Sequence, residues 1–98
     1  MPVNNEKRAE VLRQAWIGDA VLALFVRRWI LAETGRIDGE RSARMTSNQF
    51  LTSLGQADEV EAQIGRLYER EGLASAFQWI EERLVPMFVR QESKRQKR

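Results

Sequence analysis

The chain has 98 residues, enough for one domain with one core. Hydrophobic residues make up 43% and charged residues 31%, the balance of a globular chain rather than a disordered one. With no Cys and no His, the sequence excludes disulfides, Cys- or His-ligated zinc, Cys nucleophiles and His-centred triads; the remaining carboxylates and hydroxyls suit oxygen-ligated Mg²⁺ or Mn²⁺.

Charge is unevenly spread. The net charge is +2, yet four of the 16 basic residues (Lys94, Arg95, Lys97, Arg98) fall in the last eight positions, against Glu92 alone. Residues 1–90 therefore read as a near-neutral domain, and 91–98 as a basic, disordered tail able to touch phosphates. Met1 to Glu10 is polar and does not read as a signal peptide. The apolar run Ala20 to Val26 is too short to span a bilayer and is followed by Arg27 and Arg28. The expected location is the cytoplasm, with no membrane contact.

The pattern is helical throughout, with no alternating apolar and polar run of strand length. The first helix is expected from an Asn5 cap to about Glu33, stopped by Gly35. Thr34 to Glu40 reads as a glycine-containing loop, followed by a helical turn over Glu40 to Met45. Thr46 to Gln49 fits a capping box that opens a helix ending at Leu54 and Gly55. A further helix is expected from Gln56 to Glu71, with Val60, Ile64, Leu67 and Tyr68 as its apolar stripe. After Gly72, Leu73, Phe77, Ile80, Leu84 and Met87 repeat at helical spacing, and Pro86 should end or kink that helix near Leu84. The fold class is all-α, a bundle of four to five helices.

The first helix is apolar around most of its circumference from Leu12 to Leu31. Such a helix is buried nearly all round, which suggests the core on one side and a partner on the other. A homodimer built on this helix is expected, with Trp16, Phe25 and Trp29 as anchors.

Inside that helix lies a single acid, Asp19, directly after Gly18. A mid-helix Asp has poor propensity, and burying its charge costs several kcal/mol unless it is paired. A mid-helix Gly costs about 1 kcal/mol more than Ala. Local violations of this kind tend to mark function. Asp58 and Glu61 form a second acidic pair, on one face of their helix together with Gly65. A glycine there lets another helix come close, so three carboxylates from two helices can meet as a hard-cation site.

The segment Ala15-Trp16-Ile17-Gly18-Asp19-Ala20-Val21-Leu22 resembles the signature helix of ribonuclease III domains. The following Phe25-Val26-Arg27-Arg28 resembles the short Mini-III branch. Asp58 to Tyr68 is similar to the family's second motif, Asp-x-x-Glu-Ala-x-x-Gly-x-x-Tyr, and Gly72-Leu73 follows as in the family. Met45 to Leu54 is similar, more loosely, to the family's middle helix. The resemblance spans about residues 9 to 84.

It implies a Mg²⁺-dependent endoribonuclease domain, with Mn²⁺ as a substitute, acting on double-stranded or structured RNA and dimerising through the signature helix. Asp19 and Glu61 would be the principal catalytic metal ligands and Asp58 the third. A metal-activated water would hydrolyse the phosphodiester bond. Two departures stand out. Ala15 occupies the position of a Glu in the full-length enzymes, one that Mini-III proteins also lack. Only Gly55-Gln56-Ala57 separates Leu54 from Asp58, where the family carries a further helix and a basic loop.

The candidates for phosphate contact are Arg27, Arg28, Arg41, Arg44, Arg66 and Arg70 on the body, joined by Lys94, Arg95, Lys97 and Arg98 in the tail. Two other readings stay open. One is a non-cleaving member of the family that binds RNA or a ribonucleoprotein partner as a dimer. The other is a plain helical dimerisation module whose acids are structural.

Overall fold

The computed structural model describes residues 2–96. Six helical segments and no strand occur among the described residues: α1 (Pro2–Thr34), α2 (Gly39–Met45), α3 (Asn48–Leu51), α4 (Ala57–Glu71), α5 (Leu73–Arg83) and α6 (Val85–Gln96). The all-α expectation is met, with more segments than the four to five read from periodicity. No helix among the described residues is long and apolar enough to cross a membrane.

α1 is the spine. Its 33 residues extend to about 50 Å at the α-helical rise, which matches the longest dimension of the molecule, 48 Å. It starts at Pro2, earlier than the expected Asn5 cap, and proline suits a first helical position because its missing N–H needs no partner there. It ends where Gly35 takes a left-handed φ of 71° and donates to the Leu31 carbonyl at 2.8 Å. The Thr34 hydroxyl donates to the Ile30 carbonyl at 2.9 Å and helps close the last turn.

The inward face of α1 carries Val21, Leu22, Phe25, Val26 and Ile30, all buried. Against it pack Met45 of α2, Phe50 and Leu51 of α3, Val60 and Ile64 of α4, Ala76 and Ile80 of α5, Leu84, and Phe88 of α6. Edge-to-face ring contacts knit this core: Phe25 on Phe77 at 5.3 Å, Trp29 on Phe88 at 5.9 Å, and Phe50 on Phe88 at 5.6 Å.

Of the middle caps, the sequence suggested only Thr46. Asp38 caps α2 by accepting from Arg41 N at 3.0 Å. Ser47, rather than Thr46, caps α3 by accepting from Phe50 N at 3.1 Å, and Thr46 instead closes α2. α3 stops at Leu51, short of the expected Leu54. Pro86 does break the chain's helical run, between Arg83 and Val85.

The run then resumes as α6, so Gln91 to Gln96, expected to be disordered, are helical. Glu92 explains the order: Arg44 of α2 donates to both of its oxygens, each at 3.0 Å, and pins α6 across the bundle. Lys97 and Arg98 lie outside the described residues.

α1 and α4 make the closest crossing. A Cβ built on Gly18 would overlap the Glu61 carbonyl, and one built on Gly65 would overlap the Gln14 carbonyl. Each glycine is thus seated against the other helix's backbone. Gly65→Ala should destabilise the protein by about 3 kcal/mol, or roughly 10–20 °C in Tm for a domain of this size. Gly39→Ala, at a position with no atom near the added Cβ, should leave Tm unchanged or slightly raised. Paired thermal melts check both.

Candidate active site

The glycine crossing decides what meets beside it. Asp19 follows Gly18 on α1, and Glu61 lies one turn before Gly65 on α4. Closing the glycine contact therefore brings the two carboxyl groups together. Glu61 is 9% exposed, the one buried charged side chain among the described residues, while Asp19 opens to solvent. Burial, a hydrogen bond to Asp19, and the negative charges of Asp19 and Asp58 push the Glu61 carboxyl up to about 8. At neutral pH Glu61 therefore carries a proton, which it donates to Asp19.

Asp58, the expected third ligand, is half-buried and acts on Glu61 through its charge. Its own oxygen is taken by Arg8 of α1, whose Nη2 lies 2.8 Å away. Among the described residues no three Asp, Glu, His or Cys side chains are gathered as a ready metal cage. The three acids thus come as a close pair with a neutralised neighbour. The pair still fits a hard cation. Mg²⁺ keeps several waters and takes only one or two protein carboxylates, unlike cations held in all-protein cages. A divalent ion would also replace the shared proton as the counter-charge between Asp19 and Glu61. Ala15 is buried beside the crossing at 5% exposure.

The arginines expected at RNA divide into distinct groups. Arg66 donates to Gln14 Oε1 at 2.8 Å and braces α4 on α1 next to the glycines. Arg41 lies over the Trp29 ring at 4.9 Å from its centroid, and Arg44 holds Glu92. These three have structural partners. Arg27, Arg28, Arg70, Lys94 and Arg95 are exposed or partly exposed. Arg27 borders an open cleft of about 510 Å³ between the end of α1 and α2, away from the acids.

The expected dimer anchors also divide. Phe25 is 6% exposed and packs on Phe77, and Trp29 is half-buried between Phe88 and Arg41, so both belong to this chain's own core. α5 and α6 cover the second apolar face of α1 at these positions, where the sequence suggested a partner. Trp16 is different, at 78% exposure. It shares the outward side of α1 with Leu12, Leu24 and Leu31, each more than two-fifths exposed.

Arg8 carries a weak signal in the sequence. It stands about three turns before Asp19, which returns it to nearly the same face of α1. Gln14, the partner of Arg66, carries none. The chain matches no family model, no curated protein and no solved structure.

Linkage gives this site a pH signature. A carboxyl raised from about 4.5 to about 8 leaves the folded state holding more protons than the unfolded state between those values. Stability without metal should therefore fall as pH rises from 5 to 8, by roughly 3 kcal/mol. Glu61→Gln, which cannot ionise, should flatten that slope and melt higher than wild type at pH 8. Denaturant unfolding across pH in EDTA reads both.

Proposed function

We propose that the chain is a minimal, ribonuclease III-like endoribonuclease that hydrolyses double-stranded or structured RNA with Mg²⁺ held by Asp19 and Glu61. The observation that carries this reading is the pairing of those two acids at the glycine crossing. Both motifs of the sequence resemblance converge there, one from α1 and one from α4.

Each residue has a distinct task in this reading. Asp19, open to solvent, offers the accessible carboxylate. Glu61 would serve as the second ligand once deprotonated. Asp58, paired with Arg8, stays outside the ligand pair and acts on Glu61 only weakly, through its charge. Gly18, Gly65 and the Arg66–Gln14 hydrogen bond fix the separation of the two helices. When bound, Mg²⁺ lowers the pKa of water and offsets the charge that develops on the phosphate. The accessible Arg27, Arg28 and Arg70 serve the RNA backbone by charge rather than base sequence.

The active form in this reading is a homodimer, because Leu12, Trp16, Leu24 and Leu31 leave apolar surface exposed along much of the spine. Trp16 is its central anchor. Trp16→Glu should convert the dimer to a monomer in sedimentation velocity, with secondary structure retained. Wild-type sedimentation as a monomer at micromolar concentration would remove the dimer from the proposal.

Cleavage tests the activity itself. Wild-type protein should cut a generic RNA duplex with Mg²⁺ and leave it intact in EDTA. Asp19→Asn and Glu61→Gln should each lose at least about 100-fold in rate while keeping the fold, the scale expected when a charge-stabilising group is removed. Intact RNA with folded wild-type protein, in Mg²⁺ and in Mn²⁺, would contradict the nuclease reading. Salt-sensitive RNA binding without products would then support a non-cleaving relative.

A further inference from the structure

Glu92 stands among three arginines. Arg44 holds both of its oxygens, while Arg41 and Arg95 lie 3.7 and 3.8 Å from it. One carboxylate is shared by three guanidinium groups, while Asp38 and Glu40 act on Arg44 by charge alone. Arg41 is already committed, lying over the rings of Trp29 and Phe88. Arg44 and Arg95 instead line an open groove of about 570 Å³ between α2–α3 and α6.

The rest of the groove decides which anion it fits. Gln49, Ser53 and Gln91 place hydroxyl and amide groups along it, with Gln91 donating to Ser53, while the Ser47 hydroxyl is engaged in capping α3. Its aromatic members, Phe50 and Phe88, are 4% and 2% exposed and its exposed apolar member is the small Ala43, so it offers no large anchor for an apolar side chain. Protein partners draw their affinity from buried aromatic and aliphatic anchors, which this groove lacks. A phosphodiester backbone needs planar forks for its oxygens and polar groups for its sugars.

We propose that this groove binds a phosphodiester backbone through Arg44 and Arg95, with Glu92 as an internal anion that occupies the Arg44 fork until a phosphate displaces it. The carboxylate and the phosphate compete for the same donors. Lys94 adds charge on the same last turn of α6. The groove is separate from the acid pair: Trp29, beneath Arg41, lies about 15 Å along the α1 axis from Asp19. The choice of RNA as the polyanion rests on the nuclease reading, whereas the fit to a phosphate rests on the groove alone.

Fluorescence anisotropy with a generic RNA duplex, in EDTA and over a range of salt, tests this. Arg95 is 65% exposed, and its loss leaves the Arg44–Glu92 pair in place. Arg95→Gln should weaken binding several-fold and flatten the log–log salt slope by about 1. Glu92→Gln should melt lower yet bind RNA several-fold more tightly. Glu81→Gln, the same charge change on exposed α5, should alter affinity less than about twofold, since a distant surface charge is screened.

If Glu92→Gln fails to fold, Arg95→Gln decides alone. Unchanged affinity and slope in Arg95→Gln would overturn the proposal, as would equal effects of Glu92→Gln and Glu81→Gln. So would a wild type that binds a poly-glutamate peptide through Arg95 but no RNA. Mg²⁺-dependent cleavage with unaltered Arg95→Gln binding sinks the groove and spares the nuclease. Altered binding with no cleavage by wild type does the reverse.

Discussion

The structure depends on one contact, the seating of Gly18 and Gly65 against each other's helix. Each position admits no Cβ, because a backbone carbonyl of the opposite helix already occupies that space. Each glycine costs its helix about 1 kcal/mol in propensity. The close approach offsets this by letting α1 and α4 pack backbone to backbone. It also brings Asp19 and Glu61 within hydrogen-bonding reach of each other. The acid pair is a consequence of the packing rather than an addition to it.

That constraint divides α1 into two working halves. The N-terminal half carries Arg8, Gln14, Gly18 and Asp19, and each of these meets a residue of α4. The C-terminal half carries Phe25 and Trp29, which anchor α5 and α6 through ring edges. α2 links to the second half, because Arg41 lies over Trp29 while Arg44 reaches Glu92. A carboxyl held protonated near neutral pH is unfavourable for a protein that never uses it. A divalent ion at the pair would replace that proton as the counter-charge, which is the link between the packing and the proposed nuclease reading.

Much of this is legible in the sequence. The mid-helix Gly18-Asp19 violation and the shared face of Asp58, Glu61 and Gly65 point to acids meeting from two helices without any knowledge of contacts, though as a trio rather than the observed pair. The helices and the break at Pro86 follow from periodicity and local chemistry. The misses share a physical cause. Apolar periodicity assigns Phe25 and Trp29 to a partner, because it cannot tell a partner's face from one covered by the chain's own later helices. Charge composition makes residues 91–96 a tail, because it does not reveal a tertiary ion pair. Glu92, a lone acid among bases, orders α6 only through Arg44, which is distant in the chain. Arg8 shows only weakly, as a same-face neighbour of Asp19, because its partner, Asp58, lies on another helix.

The most direct test of the central claim is calorimetric titration of Mn²⁺ into the protein at pH 7, in two buffers of different ionisation enthalpy. If the crossing presses Asp19 and Glu61 into a cation site, the ion binds and releases the proton held by Glu61, so the observed heat differs between buffers. Glu61→Gln should lose that buffer dependence. Absence of binding by folded wild-type protein, or binding with equal heats in both buffers, would contradict the account.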